Sequence, residues 1–542
     1  MSRILEEGHH GRGPRHDIVP PRGTAFRAGR FGRMVPELAN PLEPQDSALV
    51  DLGLSMIDSV ADGGKESGDN DGIPAGFTYL GQFIDHDITL DTTSLGEVSQ
   101  DPAAIENFRT PRLDLDSVYG FGPRAQPSLY DRASKGRAKL LVGATVTGGA
   151  EQIKAGLPHD LPRNAQGFAI IGDERNDENL LVAQTHVSFL RFHNAIVDLL
   201  DDGKAADGAL FGRARRAVTD LYQSMVVRDF LTKICDPNDV AAAIERRRFF
   251  RFEHFGAYRQ PYMPVEFSVA AYRLGHSMVR EVYSHNRIFT PGGGIPATLQ
   301  LLFDFTAKSG DLGTEGGAPS NRPTLPGDWI IDWRRFLDFG QKDGGERVFL
   351  NPTRNIDPYL ANELHTLGNA PKPSADSSLA VMNLRRGVKM KLPSAQALAR
   401  FMGVKGLDPD EIAAAGPDGK AAEKHGLHVR TPLWYYILKE AELRGEGKRL
   451  GPLGSLIVAE TFVGLLQGDP ESFLARDPSW RLGEPIQGLV LEGADKGFTF
   501  ADLVAVGAGG RTKEKLSPVD DPANLPAPAA NEPRGEPVAA AQ

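Results

Sequence analysis

The 542-residue chain lacks several features that mark large classes of proteins. It has a single cysteine, Cys235, so no disulfide can form within the chain, and the cysteine pattern of secreted domains is absent. No run reaches the roughly 18 apolar residues of a membrane-spanning helix, since the best one, residues 457–466, is interrupted by Glu460 and Thr461. The first residues contain no apolar core of a secretory signal peptide. We therefore expect a soluble protein without a membrane partner, either cytoplasmic or secreted by a route that needs no N-terminal signal.

An excess of basic charge is also missing. The chain carries 61 Lys and Arg residues against 71 Asp and Glu residues, which gives a formal net charge of −10. This balance argues against binding to nucleic acids and to anionic lipid surfaces. Because 40% of the residues are hydrophobic and 24% are charged, the composition is that of a globular protein. The remaining partners are small molecules, and the oligomeric state is not indicated.

The distribution of apolar residues is mainly helical. The 3.6-residue period fits five segments: 77–88, 179–200, 269–282, 378–388 and 432–444. Alternating β-type patterns are scarce, and the best strand candidate is 140–147. The 60 glycines and 39 prolines imply long loops. We predict a mainly α protein with little β-structure.

The same reading divides the chain into three parts. Residues 1–71 form an N-terminal arm, residues 72–506 form one large domain, and residues 507–542 form a tail rich in Pro and Ala. The tail has too few apolar residues to offset its ordering entropy, so we predict that it is disordered.

The first segment with a chemical signature is Gly81-Gln-Phe-Ile-Asp-His-Asp87. On a helix, Gln82, Asp85 and His86 share one face, because they are spaced i, i+3 and i+4. A surface helix with a His–Asp pair would also fit this spacing. A metal hydrolase is a further alternative, because Asp-His-Asp offers good ligands for a divalent ion.

Two further pairs lie three residues apart. Arg175 and Glu178 precede the segment 179–200, where acidic residues are commonly partners of the helix dipole. Arg273 and His276 lie in the apolar segment 269–282. A histidine there is either a buried core residue or an axial metal ligand beside an arginine that neutralises an anionic group, as in a haem with its propionates.

A fourth segment carries oxygen ligands at every second position. Thr110, Arg112, Asp114 and Asp116 would point to one side of an extended loop. Carboxylates, a hydroxyl and backbone carbonyls are hard ligands that suit calcium. A polar turn with no ion is the alternative.

Taken in order, these motifs resemble those of the animal-type haem peroxidases, the peroxidase–cyclooxygenase superfamily. The resemblance runs from about residue 72 to residue 502, and the absence of disulfides and of a signal sequence points to its bacterial branch. It implies a large helical haem peroxidase domain and an iron enzyme, an oxidoreductase suited to the response to oxidative stress. Such an enzyme reduces hydrogen peroxide and oxidises phenols, or bromide, iodide or thiocyanate, through a ferryl intermediate. A fatty-acid dioxygenase of the same superfamily and a non-catalytic haem- or calcium-binding protein are the alternatives.

The resemblance also implies roles for single residues around the iron. His86 would be the base that takes a proton from peroxide, Gln82 would hold the water or halide beside it, and Arg175 would polarise the O–O bond. His276 would be the axial ligand of the iron. Asn383 would accept a hydrogen bond from the other ring N–H of that histidine, which raises its donor strength.

Other residues are implied to hold haem b itself. Arg273 and Arg386 would bind its propionates, and Asp85 and Glu178 would form ester links to its methyl groups. The calcium ion would be bound by the carbonyl of Arg112 and by four side chains, those of Asp87, Thr110, Asp114 and Asp116.

The chain departs from the family pattern at three positions. Asn179 follows Glu178 where relatives with a sulfonium-linked haem have methionine, so we expect no such link and doubt chloride oxidation. Asp116 replaces the serine that is usual at the last calcium position. Three residues before the axial histidine, where cyclooxygenases place a radical tyrosine, this chain has Arg273, with Tyr272 one residue further away, which disfavours cyclooxygenase chemistry.

Overall fold

The structure is a computed structural model of the whole chain. It describes residues 29–525 except 39, 60–67, 91–105, 108, 205–207, 253–260, 293, 311, 313, 316–317, 320–323, 341, 344–345, 368–369, 492–493 and 495–496. The first part of the predicted arm and the last part of the predicted tail therefore lie outside the described residues.

Helices dominate the described residues. The α-helices are Asp46–Leu54, Gly76–Ile88, Asp116–Tyr119, Gly122–Ala125, Leu180–Leu200, Ala209–Met225, Leu231–Ile234, Pro237–Glu245, Val265–Ser268, Leu299–Asp304, Leu379–Lys389, Ala395–Met402, Pro409–Ala414, Gly416–Lys424, Leu433–Gly445, Pro452–Gly468, Phe473–Arg476, Phe500–Ala508 and Lys513–Leu516. A π-helical turn covers Val226–Phe230. The 3₁₀ turns are Pro127–Leu129, Lys135–Arg137, Glu174–Asp177, Ala271–His276, Gly327–Trp329, Trp333–Arg335, Asn362–His365, Pro518–Asp520 and Pro522–Asn524. Within the described ranges, every helix is too short or too polar to span a bilayer.

The strands are short and scattered. They are Gly29–Gly32, Asp69–Pro74, Glu106–Asn107, Met263–Pro264, Val282–Tyr283, Ala297–Thr298, Thr314–Glu315, Ala318–Pro319, Lys342–Asp343, Glu346–Arg347 and Pro352–Arg354. They pair in sheets of two or three strands, of which the largest joins Gly29–Gly32 to Glu106–Asn107 and to Met263–Pro264. The prediction of a mainly α protein with little β-structure is confirmed.

Four of the five predicted helices are present. The segment 179–200 becomes the helix Leu180–Leu200, and the side chain of Asn179 caps it by accepting a hydrogen bond from the backbone N–H of Val182. Ser378 caps the helix Leu379–Lys389 in the same way. Both caps were readable from the sequence, because Asn and Ser directly precede the apolar period.

Two predictions of secondary structure were wrong. The segment 269–282 is not one helix: it contains the 3₁₀ turn Ala271–His276 and ends in the strand Val282–Tyr283. The segment 140–147 is not a strand, because its three bridges go to three different partners, Tyr130, Asp160 and Pro326. A ladder needs consecutive pairs with one neighbour.

Both predicted domain boundaries also need correction. Within the predicted arm, the helix Asp46–Leu54 packs so closely on Leu379–Lys389 that a Cβ on Gly53 would lie 2.6 Å from Cγ2 of Val381. Within the predicted disordered tail, the described part up to residue 525 is ordered. Leu516 is buried, and Asp520 accepts an ion pair from Arg334 at 2.6 Å. Composition alone could not show these contacts with distant parts of the chain.

Aromatic packing fixes the helix that carries the first motif. Phe83 of Gly76–Ile88 stacks on Phe189 of Leu180–Leu200, with ring centroids 4.2 Å apart and planes at 12°. The ring of Tyr222 meets both phenylalanines edge-on. Such pairs contribute about 0.5–1.5 kcal/mol each beyond their burial. The two helices are thus held as one rigid wall.

Candidate active site

One large cavity brings together six of the site residues that the sequence singled out, which are Gln82, Asp85, His86, Glu178, Arg273 and His276. Its volume is about 1350 Å³. The helix Gly76–Ile88 contributes Gln82, Asp85 and His86 to its wall, and the turn Ala271–His276 contributes residues of the third motif. Because pockets for drug-sized ligands are roughly 300–1,000 Å³, this cavity has room for a large group and a second small molecule.

The protonation of His86 is set by its partner Asn176. The Nδ1 atom of His86 lies 2.8 Å from Oδ1 of Asn176, and Nδ2 of Asn176 lies 2.9 Å from Nδ1 of His186. Burial lowers the pKa of His186 to about 3, so this histidine is neutral and its Nδ1 accepts the amide hydrogen. The amide oxygen must then face His86, which places the proton of His86 on Nδ1. The Nε2 atom is left facing the cavity.

Three polar side chains form a chain of hydrogen bonds beside His86. Asn179 donates from Nδ2 to Oε1 of Gln82 at 2.8 Å, and Gln82 donates from Nε2 to Oε1 of Glu178. That oxygen of Glu178 lies 3.4 Å from Nε2 of His86. Burial acts to raise the pKa of Glu178, but the neighbouring His86 and Arg175 and the hydrogen bond from Gln82 outweigh it, so the pKa is lowered and Glu178 is ionised.

Arg175 is not on the cavity wall, contrary to its predicted role at the O–O bond. Its guanidinium group binds the carboxylate of Asp173, with Nε–Oδ1 3.0 Å and Nη2–Oδ2 2.7 Å. It also donates to the backbone carbonyls of His86 and Thr89 at 3.1 and 2.6 Å. Asp173 is nearly buried, and the strong ion pair holds the guanidinium away from the cavity. In this structure Arg175 therefore positions the end of the helix that carries His86.

His276 also lines the cavity and is neutral. Burial and the nearby charge of Arg273 lower the pKa of His276 to about 3. Its Nδ1 lies 2.8 Å from Nδ2 of Asn383, while Oδ1 of Asn383 accepts a hydrogen bond from Nη1 of Arg273 at 3.1 Å. The predicted pairing of His276 and Asn383 is present, but the amide nitrogen faces the ring and the oxygen does not. The guanidinium group of Arg273 attracts the oxygen to its own side.

The 3₁₀ turn explains why Arg273 and His276 face the same cavity. In a 3₁₀ helix residues i and i+3 are eclipsed, so the two side chains project in the same direction. Tyr272 also lines the cavity, and its hydroxyl donates to the carbonyl of Gly81 at 3.1 Å. Arg386 is half-buried on the helix Leu379–Lys389 and is not part of the cavity wall, so the structure does not place it with the other site residues.

The residues predicted to bind calcium form a carboxylate cluster next to the cavity. Carboxylate oxygens of Asp87, Asp114 and Asp116 all lie within 4.8 Å of one another. Burial, followed by the charges of the other two carboxylates, raises the pKa of Asp87 well above its usual value. Burial likewise raises the pKa of Asp116 to about 7. Without a cation, three such groups repel one another, whereas a hard divalent ion would bind them.

The loop around this carboxylate cluster is built to hold the oxygens in place. Oγ1 of Thr110 donates to Asp114 at 3.0 Å, and the backbone N–H of Leu115 donates to Asp87 at 3.2 Å. Leu115 has φ 58°, a left-handed conformation that is strained for a leucine. The side chain of Arg112 turns away from the carboxylate cluster toward Asp469, at 3.5 Å.

Three of the residues described above were missed by sequence reasoning. They are Asn176, Asp173 and Arg109. Arg109 donates from Nη2 to Asp173 at 2.6 Å and contacts Asp116 through Nη1 at 3.5 Å, so it joins the carboxylate cluster to the Arg175 ion pair. The contacts of Asn176 with His86 and of Arg109 with Asp173 join segments that are far apart in the chain, so no local pattern indicated them.

Part of the chain is similar in sequence to known peroxidases. The family model described as animal haem peroxidase matches residues 92–300, which include Thr110–Asp116 and His276. A peroxidase-like protein of Margaritifera margaritifera is 25% identical over 398 residues, which are 70% of this chain and 46% of that protein. Thyroid peroxidase of Rattus norvegicus is 25% identical over 390 residues, which are 67% of this chain and 38% of that protein. The chain thus spans less than half the length of these curated relatives.

Solved structures show the same fold. Peroxidase A from Dictyostelium discoideum superposes with a TM-score of 0.55 at 16% identity, over 90% of this chain and 95% of that one. A fatty acid alpha-dioxygenase of Oryza sativa superposes with a TM-score of 0.56 at 13% identity, over 89% of this chain and 83% of that one. At these identities the likeness is one of fold.

Proposed function

Because the chain carries a segment of the animal haem peroxidase family and has the helical fold of the peroxidase–cyclooxygenase superfamily, we propose that it is a haem-dependent peroxidase. In this proposal it reduces hydrogen peroxide and oxidises small donors such as phenols. One observation carries the proposal. Two histidines on different structural elements, His86 and His276, line one cavity. The hydrogen bond with Asn176 engages Nδ1 of His86 and leaves its Nε2 facing the cavity.

The residues of the cavity fit a haem group. The neutral His276 could bind an iron ion through Nε2 if the amide of Asn383 turned its oxygen toward Nδ1, because the ring proton would then lie on Nδ1 and leave the lone pair of Nε2 free. The guanidinium group of Arg273 is directed to neutral acceptors, the carbonyl of Ser268 and the amide of Asn383. A buried cation is stabilised by an anion, and a propionate on this wall would provide one.

When bound, haem would supply the electrons that reduce peroxide. The side chains would handle the protons. His86 would accept a proton at Nε2 from one oxygen of hydrogen peroxide and return it to the other oxygen, which leaves as water. Gln82, held by Asn179, would orient the small molecule in this position. Asn383 and Arg273 would keep His276 in one orientation.

We also propose that Asp85 and Glu178 form ester links to haem methyl groups, since both carboxylates line the cavity. In each link a carboxylate oxygen would replace one hydrogen of a methyl group, with peroxide as the oxidant. An ester at Glu178 would remove the negative charge 3.4 Å from Nε2 of His86 and leave this nitrogen to the substrate. Acid-acetone extraction after peroxide treatment should leave haem on the protein, and the pair Asp85→Val and Glu178→Gln should release it.

We propose that the carboxylate cluster binds Ca²⁺, with Thr110 and the carbonyl of Arg112 as further ligands. Three converging carboxylates form a donor set that suits this ion. Its role would be structural, because Asp87 directly follows His86.

A second candidate, a fatty-acid dioxygenase, is favoured by one feature, the tyrosine Tyr272 on the cavity wall. The hydroxyl of Tyr272 is engaged by the carbonyl of Gly81. Oxygen uptake with palmitic acid that is abolished in Tyr272→Phe would support this candidate over the peroxidase. A non-catalytic haem- or calcium-binding protein would show neither activity.

The test of the main proposal uses the haem-loaded protein. We expect an intense haem absorption band, peroxide-dependent oxidation of a phenol, loss of stable haem binding in His276→Ala, and loss of peroxide reactivity with haem retained in His86→Ala. His425→Ala, which changes a histidine outside the cavity, is the matched control and should behave as the unmodified protein. Full activity in both cavity variants would show that the site lies elsewhere.

A further inference from the structure

A second, much smaller pocket lies between the helix Leu180–Leu200 and the C-terminal segment. We call it the Arg191 pocket. Its wall includes His159, Arg191 and Lys515, together with residues of the helix Phe500–Ala508. None of its described lining residues belongs to the large cavity, so the two sites are separate. Its volume is about 10 Å³, which is room for about one water-sized particle.

Arg191 brings to this pocket a positive charge that no carboxylate balances. Its Nη1 atom lies 2.8 Å from Nδ1 and 3.2 Å from Nε2 of His159, and these are its only hydrogen bonds within the described residues. Burial and the charge of Arg191 hold the pKa of His159 well below its usual value, so this partner is neutral. Burial also lowers the pKa of Arg191 to about 10, which leaves its guanidinium group charged at neutral pH. A half-buried charge without a counter-charge is unfavourable, and an anion would compensate it.

Lys515 adds a second positive charge to the same wall. It is exposed, and it has no carboxylate partner in the part of the chain that the structure describes. The carboxylate of its neighbour Glu514 is engaged within its own turn, where it accepts a hydrogen bond from the side chain of Thr512. The described lining of the Arg191 pocket contains no Asp or Glu. Two cations therefore line a space to which no lining residue brings a negative charge.

Carboxylates on nearby positions of the chain are bound to other arginines. Asp160 binds Nε of Arg163 at 3.0 Å, and Asp520 binds Nη2 of Arg334 at 2.6 Å. The helix Phe500–Ala508 ends at the pocket, but a helix C-terminus carries only about half a negative charge. These groups leave the two positive charges of the pocket largely unbalanced.

We propose that the Arg191 pocket binds one halide ion, which is chloride in ordinary salt solutions. The volume suits an ion of a single atom and is too small for an oxyanion such as sulfate or phosphate. The guanidinium group of Arg191 and the ammonium group of Lys515 would supply the hydrogen bonds and the opposite charge. The bound ion would join the helix Leu180–Leu200 to the C-terminal segment. Because the pocket is separate from the large cavity, this ion is not a substrate, and the proposal does not depend on the peroxidase function.

Bromide is the first probe, because it can replace chloride and scatters X-rays anomalously. Crystals of the haem-loaded protein soaked in sodium bromide should show an anomalous difference peak between Arg191 and Lys515. Crystals of Arg191→Gln should lack this peak.

The melting temperature of the haem-loaded protein is the second measurement. At the same ionic strength, sodium chloride should raise it by about 1–3 °C relative to sodium gluconate, whose anion is too large for the pocket. Arg191→Gln should abolish this difference, because glutamine keeps a donor for His159 and removes the charge. In gluconate, Arg191→Gln should melt at the same temperature as the unmodified protein or higher, since the unbalanced charge is gone.

Lysine variants show whether the effect belongs to this pocket. Lys515→Gln should raise the chloride concentration that gives half of the melting-temperature shift by about 2- to 5-fold. Lys405→Gln is the matched control, because it removes the charge of an exposed lysine that does not line the pocket. Its chloride dependence should equal that of the unmodified protein.

Three results would overturn the proposal. The absence of a bromide peak, together with equal melting temperatures in the two salts, would show that the pocket holds only water. A chloride effect that persists in Arg191→Gln would show that the ion binds elsewhere. If Arg191→Gln does not fold, the exposed position decides, and identical chloride titrations of Lys515→Gln and Lys405→Gln would contradict the proposal. None of these results depends on turnover, so they leave the peroxidase function to its own test.

Discussion

Replacing Asn176 by leucine should slow the reaction with peroxide while leaving haem bound. Asn176 is fully buried, and it is not itself one of the residues that line the cavity. Its amide oxygen, 2.8 Å from Nδ1 of His86, is the acceptor that keeps the proton on that nitrogen. Leucine has nearly the same size and offers no acceptor. The imidazole of His86 would then place its proton on Nε2, which faces Glu178 and the cavity, and could no longer accept one there.

The size of the effect follows from the buried hydrogen bond. Leaving a buried donor unsatisfied costs about 1–3 kcal/mol, which corresponds to about a 5- to 150-fold loss at 1.36 kcal/mol per tenfold. The assay is the second-order rate constant for peroxide, followed by the change in haem absorbance. Side-chain ¹⁵N chemical shifts, which distinguish the two neutral forms of histidine, should show the proton of His86 moving from Nδ1 to Nε2 in Asn176→Leu.

Asn176→Asp is the matched control. A carboxylate still accepts from Nδ1 of His86, and His186 can turn its own proton to Nδ1 to donate to it. The rate constant should therefore stay near that of the unmodified protein. If Asn176→Leu reacts with peroxide as fast as the unmodified protein, or if Asn176→Asp is equally impaired, the amide does not set the protonation of His86 and the reasoning fails.

Three further predictions address other parts of the site and fold. Calcium should copurify with the protein, and a chelator or Asp114→Ala should lower both the melting temperature and the rate of the reaction with peroxide. The loss in the free energy of unfolding should reach about 4 kcal/mol where the ion is present at a thousandfold excess over its Kd. A calcium-free, fully active protein would contradict this prediction. Asn179→Asp should keep the helix cap and the melting temperature but release Gln82, which should lower the rate of the reaction with peroxide about 2- to 10-fold. Asn179→Ala should lower both the melting temperature and this rate. Equal rates in Asn179→Asp and the unmodified protein would show that the hydrogen bond between Asn179 and Gln82 does not affect the reaction. Burial lowers the pKa of His365 to about 4, so the stability that its neutral form contributes is complete above about pH 6.5 and is lost as the pH falls. In denaturant titrations, the difference in the free energy of unfolding between the unmodified protein and His365→Gln should shrink by about 2 kcal/mol between about pH 7.5 and about pH 5. A difference that stays constant with pH would refute the lowered pKa.

The parts of the site that the sequence predicted are those set by local geometry. Gln82, Asp85 and His86 share a face because a helix forms there, and the apolar period reveals the helix. The pair Arg273 and His276 also shares a direction, although the predicted helix is a 3₁₀ turn. A spacing of three residues aligns side chains in both kinds of helix, so the two side chains share a direction in spite of the error in secondary structure.

The parts that the sequence did not predict depend on contacts between distant segments. The resemblance to the haem peroxidases implied a place for Arg175 in the cavity. Its direction is decided by Asp173 and by two carbonyls at the end of another helix, which no local pattern contains. The orientation of the Asn383 amide is similarly decided by Arg273, 110 residues away in the chain. The spacing in the sequence determines from which face of a helix a side chain projects, and its hydrogen-bond and ion-pair partners determine the direction of its terminal group.

The same distinction shows why the carboxylate cluster and His86 should respond together. The sequence reveals one connection, the peptide bond between His86 and Asp87, so an ion that binds Asp87 restrains the end of the helix. The fold adds a second: Arg109 joins the carboxylate cluster to Asp173, and Asp173 holds Arg175, whose guanidinium group binds the carbonyl of His86 at 3.1 Å. Because both connections end at this part of the helix, losing the cation would remove one of the restraints on the backbone of His86. The ring itself is held by Asn176 and contacts Glu178, so its position would depend more strongly on these two side chains.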